Sequence, residues 1–236
     1  MTKLPEYIIE QDIPSVVLVG AFSPQNFTPE WLHHFGLISE TVLAESKISV
    51  ISRLEIEVAL PWAEIHVKPT LKDRSKLVMI LTDNSESAIF KDLVTSLFNL
   101  NETCVVTALG INTQFITNHH DLEKWHALGH KLVPKEIWRK AVNADEKTDI
   151  GMNSLSVKIE RKLEAPFEHV EFETNVEIAP ISMSQKDSTY KTRVTVNNHF
   201  EIARDAGMQL ATQLWNACHD QYQKNSRSII ENILNG

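Results

Sequence analysis

The chain has 236 residues and a formal net charge of −8 at pH 7, from 23 basic and 31 acidic side chains. This excess of acid argues against nonspecific binding to nucleic acids or anionic membranes, because both need a basic surface. Only seven residues are glycine, which argues against folds that hold phosphates in glycine-rich loops.

The first half of the chain changes from a helical to a strand pattern. Residues 15–22 form a valine-rich apolar run that predicts a buried strand. Residues 28–36 predict a short helix that ends at a glycine, and a second short helix is expected at 40–46. Apolar and polar residues then alternate between 54 and 82, which predicts three meandering strands. A helix is expected from about 84 to 98.

The second half repeats this order. Residues 103–111 form an apolar run that predicts a strand. Two short helices are expected at 119–128 and 134–142, and a glycine follows the first of them. Three alternating segments between 155 and 197 predict strands, and a long helix is expected from about 200 to 234.

Weak sequence similarities between the halves indicate an internal duplication. The helical segment LVTSLFNL at 93–100 matches LATQLWNA at 210–217, and Gly20 aligns with Gly110 at the first strand of each half. A tryptophan followed by a glycine also occurs in the short helices of both halves. The alternative is that two unrelated halves share valine-rich strands and leucine-rich helices by chance.

The predicted fold class is therefore α+β, built from two tandem β-α-β-β-β-α units at residues 1–101 and 102–236. Joining the two sheets edge to edge would hide two exposed strand edges. The result is one mainly antiparallel, curved sheet with two long helices on one face. This arrangement resembles the saddle of the TATA-binding-protein fold in topology alone, so the resemblance implies no function.

The polar face of this sheet is expected to carry more acids than bases. The predicted register places seven glutamates there with five bases: Glu55, Glu57, Glu64, Glu160, Glu171, Glu173 and Glu177 with Arg53, Lys68, Lys158, Lys191 and Arg193. The glutamates of 171–177 are expected to face Lys191 and Arg193 across a strand pair. An acidic face without aromatic side chains is unsuited to nucleic acid, so we expect none to bind there.

One group of side chains has spacing that suits a metal. If the helix continues through them, His119, Glu123, His126 and His130 share a face, and these residue types bind zinc. The segment lacks the H-E-x-x-H pattern of metalloproteases. One hypothesis is therefore a metal-dependent hydrolase or nuclease. The alternative is a surface helix whose tryptophan and leucine pack inward.

The end of the long helix carries a second apolar patch formed by Ile229, Ile230, Ile233 and Leu234. Terminal residues fray unless something holds them, so this patch is expected to dock either on the protein's own body or on another subunit. With no catalytic motif evident, we expect a non-enzymatic binding or assembly protein that acts through protein–protein contacts. It would work as a dimer or as a subunit of a larger complex.

Several motifs are absent from the sequence. It contains no phosphate-binding G-x-x-x-x-G-K-[ST] loop, no G-x-G-x-x-G and no G-x-S-x-G. Cys104 and Cys218 form neither a zinc set nor a disulfide framework, and are expected to be buried thiols of a cytoplasmic protein. No cofactor, secretory signal or membrane helix is expected, because the longest apolar run is far shorter than the roughly 20 residues a span needs.

Overall fold

A computed structural model of the protein describes residues 7–70, 74–119, 121–145, 147–181 and 190–235. The described chain has nine strands: β1 (Tyr7–Gly20), β2 (Lys47–Ile51), β3 (Ile56–Ala59), β4 (Ala63–Pro69), β5 (Ser75–Leu81), β6 (Val106–His119), β7 (Leu155–Lys162), β8 (Glu171–Pro180) and β9 (Tyr190–Glu201). Six α-helices are described with them: α1 (Pro29–His34), α2 (Glu40–Glu45), α3 (Ser87–Leu100), α4 (Leu122–Leu132), α5 (Lys135–Ala141) and α6 (Gly207–Asn235). Short 3-10 turns at Pro24–Phe27 and Asn84–Glu86 precede α1 and α3.

The strands form one curved, unclosed sheet in the order β2-β3-β4-β5-β1-β6-β9-β8-β7. Every neighbouring pair is antiparallel. The two 14-residue strands β1 and β6 lie at the centre, paired from Tyr7 opposite His119 to Gly20 opposite Val106. The predicted α+β class with a large antiparallel sheet is therefore confirmed.

Helices α3 and α6 pack on one face of this sheet and on each other. The main core contains Trp215 of α6, whose ring centroid lies 6.0 Å from that of Phe98 in α3, and the β1 side chains Val16 and Leu18. A second, smaller core lies between the C-terminal part of α6 and strands β6, β8 and β9. No helix in the described ranges is long and apolar enough to cross a membrane.

Several predicted element boundaries were wrong. β1 begins at Tyr7 rather than at residue 15, and β6 continues to His119 rather than ending at 111. Both extensions alternate between core-facing and open-face residues, so they carry no continuous apolar run. Helix α6 begins at Gly207, where φ is +47°, rather than at residue 200, because β9 continues to Glu201. The predicted end of α1 is confirmed, since Gly36 has a φ of +70° there.

Strand β2 was not predicted. Its residues Lys47–Ile51 lie at the edge of the sheet, and most of them are exposed to solvent. An edge strand without a buried face has no strong alternating pattern, so the sequence predicted only three strands after the first helices. The first half therefore has one strand more than the second half among the described residues.

His219 is a buried ionisable residue at the contact between α3 and α6. Its ring centroid lies 4.0 Å from that of Trp215, and its Nδ1 lies 3.0 Å from a carboxylate oxygen of Asp220. That carboxylate also pairs with Lys91 of α3 at 2.9 Å. Among the described residues, His219 Nε2 is buried and has no hydrogen-bond partner. Burial lowers the pKa of the imidazole below its ordinary value of 6.5, and the Asp220 carboxylate opposes this only in part.

Stability should therefore fall in mild acid. Below about pH 6.5 the unfolded chain binds a proton at His219 that the folded protein does not, until the lower folded pKa is reached. We expect the free energy of unfolding, measured with urea, to fall as the pH is lowered through about 6.5, by up to about 1.4 kcal/mol per pH unit from this residue. His219→Gln should flatten that part of the pH profile. Parallel profiles for the two proteins would contradict this prediction.

Candidate functional site

Helices α4 and α5 and the loop at 149–154 form a small lobe beside the second half of the sheet. The Asp121 side chain accepts a hydrogen bond from the backbone N–H of Lys124 at 2.7 Å and so begins α4. Val133 has an extended conformation, as expected before proline, and Pro134 separates the two helices. We call residues 121–145 and 147–154 the α4–α5 lobe.

The lobe is attached to the sheet through few side chains. Trp125 donates a hydrogen bond from its indole nitrogen to the Lys191 carbonyl at 3.3 Å. Leu132 and Met152 pack against the second core. Neither α4 nor α5 has a buried residue within its described length. No hydrophobic core within the lobe therefore holds the two described helices in place.

Helix α5 is amphipathic, but its apolar face points to solvent. Ile137 is 65% exposed, Trp138 52% and Val142, at the end of the helix, 61%. Outside this face, Arg139 donates hydrogen bonds to two backbone carbonyls of the following loop at 3.0 and 3.2 Å. A surface helix normally buries its apolar side, so this orientation is the reverse of the usual one. We call Ile137, Trp138, Ala141 and Val142 the α5 apolar face.

Two clefts lie in the lobe, and the second of them borders this face. One, of about 370 Å³, lies between α4 and the loop, and its lining combines the apolar Trp125, Leu128 and Met152 with the charged Lys135 and Asp149. The other, of about 320 Å³, lies between α5 and the same loop and includes Trp138 and Val142 in its wall. Exposed apolar surface that continues into clefts is typical of an interaction site.

The four metal candidates lie on two different elements. His119 is the last residue of strand β6, so the expectation that it belongs to the helix was wrong. It is buried, and its Nε2 lies 3.3 Å from the Thr192 hydroxyl. Glu123, His126 and His130 lie on α4, which continues past Gly129 to Leu132 rather than ending there.

These side chains are not assembled into a metal site in the described structure. Glu123, His126 and His130 are all exposed, and His130 faces Glu136 at 3.4 Å. Among the described residues no three His, Cys, Asp or Glu side chains are placed to hold a metal ion. The spacing of three and four residues does not place these side chains on one face, because His119 ends a strand and the other three lie on a helix, and the two elements orient their side chains differently.

The C-terminal patch docks on the protein's own sheet. Ile230 is 0% exposed and belongs to the second core, with Phe115 and Val194. Ile229, Ile233 and Leu234 are partly buried against the same core. Of the two alternatives for this patch, docking on the protein's own body is what the structure describes. Contact of the part-exposed residues with another subunit stays a prediction.

The open face of the sheet has charge pairs near both of its outer edges. Lys68 pairs with Glu57, and Lys158 pairs with Glu173 at 2.6 Å. The predicted pairing of the β8 glutamates with Lys191 and Arg193 was wrong. Lys191 instead pairs with Glu10 of β1 at 2.6 Å, and Arg193 lies opposite Ala179. Alternation shows which face a residue occupies, but the strand register decides its partner.

A row of neutral side chains crosses the centre of the open face. Ser15, Asn112, Asn197 and Asn175 lie opposite one another on β1, β6, β9 and β8. The sequence did not predict this row, because it depends on the register in which β1, β6, β9 and β8 pair. The acidic side chains expected on this face lie to either side of its centre.

No family model matches the chain, and no curated protein matches its sequence. The sequence predicted a helix at α5 but not its exposed apolar face. The pattern KEIWRKAV shows the apolar arc, but not that it faces solvent.

Proposed function

We propose that this protein is a non-enzymatic binding or assembly protein that acts through protein–protein contacts, as a dimer or as a subunit of a larger complex. The α5 apolar face is the contact surface. The observation that supports this is the outward orientation of Ile137, Trp138 and Val142 on a helix that buries none of its own residues.

Covering this face would stabilise a complex. Fully burying an apolar side chain contributes about 1.5–3 kcal/mol relative to exposure, and these three are more than half exposed. Tryptophan is among the residues that contribute most at protein interfaces, especially beside a pocket. Trp138 meets both conditions, since it lines the 320 Å³ cleft.

Covalent capture tests the proposal. With the photo-crosslinking residue p-benzoylphenylalanine at Ile137, we expect a protein adduct of higher mass in the native cell. A matched control places the same residue at Gln213, which is exposed on α6. Adding Trp138→Ser to the protein that carries the crosslinking residue at position 137 should reduce the yield of the adduct. Absence of an adduct from Ile137, or equal adducts from both positions, would contradict the proposed function.

We also propose that the chain consists of two related units, residues 1–101 and 102–236, arranged as in the TATA-binding-protein saddle. The strand order supports this, since β5, β4 and β3 follow β1 outward as β9, β8 and β7 follow β6. Gly20 ends β1 whereas Gly110 lies inside β6, so the glycine alignment does not support it. Superposing residues 7–101 on 106–235 in an experimental structure would test it. A fit limited to the helices would contradict it.

A further inference from the structure

Lysines flank the α5 apolar face on both sides. At about 100° per residue, the face covers an arc of about 140° from Ile137 to Val142. Lys135 lies just beyond the Val142 side of this arc, and Lys140 about 60° beyond the Ile137 side. Lys135 also lines both clefts. A partner that covers the face would therefore meet Lys135 at its border, with Lys140 further round the helix.

These cations are not neutralised within the described structure. No described carboxylate lies within salt-bridge distance of Lys131, Lys135 or Lys140. The single acid of α5, Glu136, faces His130 instead. The α4–α5 lobe contains six basic and five acidic side chains, in a chain whose net charge is −8. The lobe is therefore nearly neutral in an acidic protein, and although Asp149 lines one cleft, Lys135 and Lys140 beside the α5 apolar face remain unpaired in the described structure.

We infer that the occupant of this face is an acidic, amphipathic helix of a different protein; the inference rests on the proposed function. Its apolar side chains cover Ile137 and Trp138, and its carboxylates lie beside Lys135 and Lys140. Trp138 and Val142 line the 320 Å³ cleft, which can receive an apolar side chain of such a helix. Complementary charges then orient the helix and raise its association rate.

Other occupants fit less well. A bilayer surface is flat on this scale and would leave the clefts empty, and an anionic bilayer is repelled by the net charge of −8. Nucleic acid would need more cations and stacking aromatics, whereas this face is mostly aliphatic. A second copy of the chain, which is acidic as a whole, is the main alternative occupant. The mass of the adduct distinguishes it from a different protein.

Charge reversal tests the inference in the Ile137 crosslinking protein. We expect the double variant Lys135→Glu, Lys140→Glu to reduce the adduct by roughly fivefold or more, as for a loss of about 1 kcal/mol. The arginine pair Lys135→Arg, Lys140→Arg should retain it, and Lys224→Glu, an exposed site on α6, should not change it. If the double variant disturbs the lobe, the single variant Lys140→Glu replaces it in this test. Lys140 is exposed, so its substitution should leave the fold intact.

The outcomes separate the two proposals. An adduct that persists undiminished in the charge-reversed proteins would overturn the acidic partner while the proposed function stands. Loss of the adduct in the parent crosslinking protein would overturn both. An adduct with the mass of two copies of this chain would overturn the inference in favour of self-association. Lysine-dependent binding of the purified protein to phosphatidylglycerol vesicles, or to DNA or RNA, would also overturn it.

Discussion

Replacing Trp215 with alanine should lower the free energy of unfolding by about 3–5 kcal/mol. Trp215 is only 1% exposed and packs against Phe98, and its indole nitrogen donates a hydrogen bond to the Thr95 hydroxyl at 3.1 Å. The substitution leaves a large cavity between α3 and α6. Since domains are typically stable by about 5–15 kcal/mol, urea unfolding should shift markedly to lower concentrations.

Trp138→Ala is the matched control for this experiment. The same side chain is removed, but from a position that is about half exposed on α5. The free energy of unfolding should change by no more than about 0.5 kcal/mol, while crosslinking from Ile137 should fall. Destabilisation by Trp138→Ala as large as that by Trp215→Ala would mean that the α5 apolar face is part of the core.

Ile230→Ala should lower the free energy of unfolding by about 2–5 kcal/mol, which is the second largest effect that we expect. Ile230 is fully buried near the end of α6, where it packs on the second core with Phe115, Val194 and Val196. Loss of this contact removes the anchor that holds the last turns of the helix on the sheet. Urea unfolding measures the cost, and amide hydrogen exchange along α6 should show faster exchange at its C-terminal end.

Ile229→Ala provides the comparison, because Ile229 is only partly buried. Its cost should be clearly smaller than that of Ile230→Ala. Equal and negligible costs at both positions would contradict docking of the patch on the protein's own sheet. The interface with another subunit would then be the better explanation of this apolar stripe.

The two apolar surfaces of the molecule show why burial has to be known before function is assigned. The C-terminal patch and the α5 apolar face both contain isoleucines on short amphipathic segments. The C-terminal patch contributes to the second core through Ile230. The α5 apolar face is exposed at Ile137 and Trp138. Only the α5 apolar face is therefore open to a partner along its whole length.

The sequence determined much of the local structure. Alternation placed residues such as Glu57, Lys158 and Glu173 on the open face, and the charge pairs found there agree with that placement. A glycine after a helical pattern predicted the end of α1. These features depend on neighbours within a few residues, and their periodicity is visible in the chain itself.

The metal candidates show the limit of such reasoning. Four side chains spaced three or four apart imply one helix face, yet His119 lies on a strand that pairs with β1 and β9. The long-range pairing of the strand overrode the local helical spacing. The same holds for the row of neutral side chains on the open face, which exists only because four separate strands adopt one register.

By itself, then, the sequence determined the α+β class, the amphipathic pattern of most elements and the acidic net charge. Tertiary structure alone decided that α5 turns its apolar face to solvent and that α6 turns its own end to the sheet. The physical reason is that an amphipathic helix has an apolar side wherever it lies. Whether that side meets a core or water depends on space left by elements distant in the sequence, and at α5 the described elements leave it uncovered.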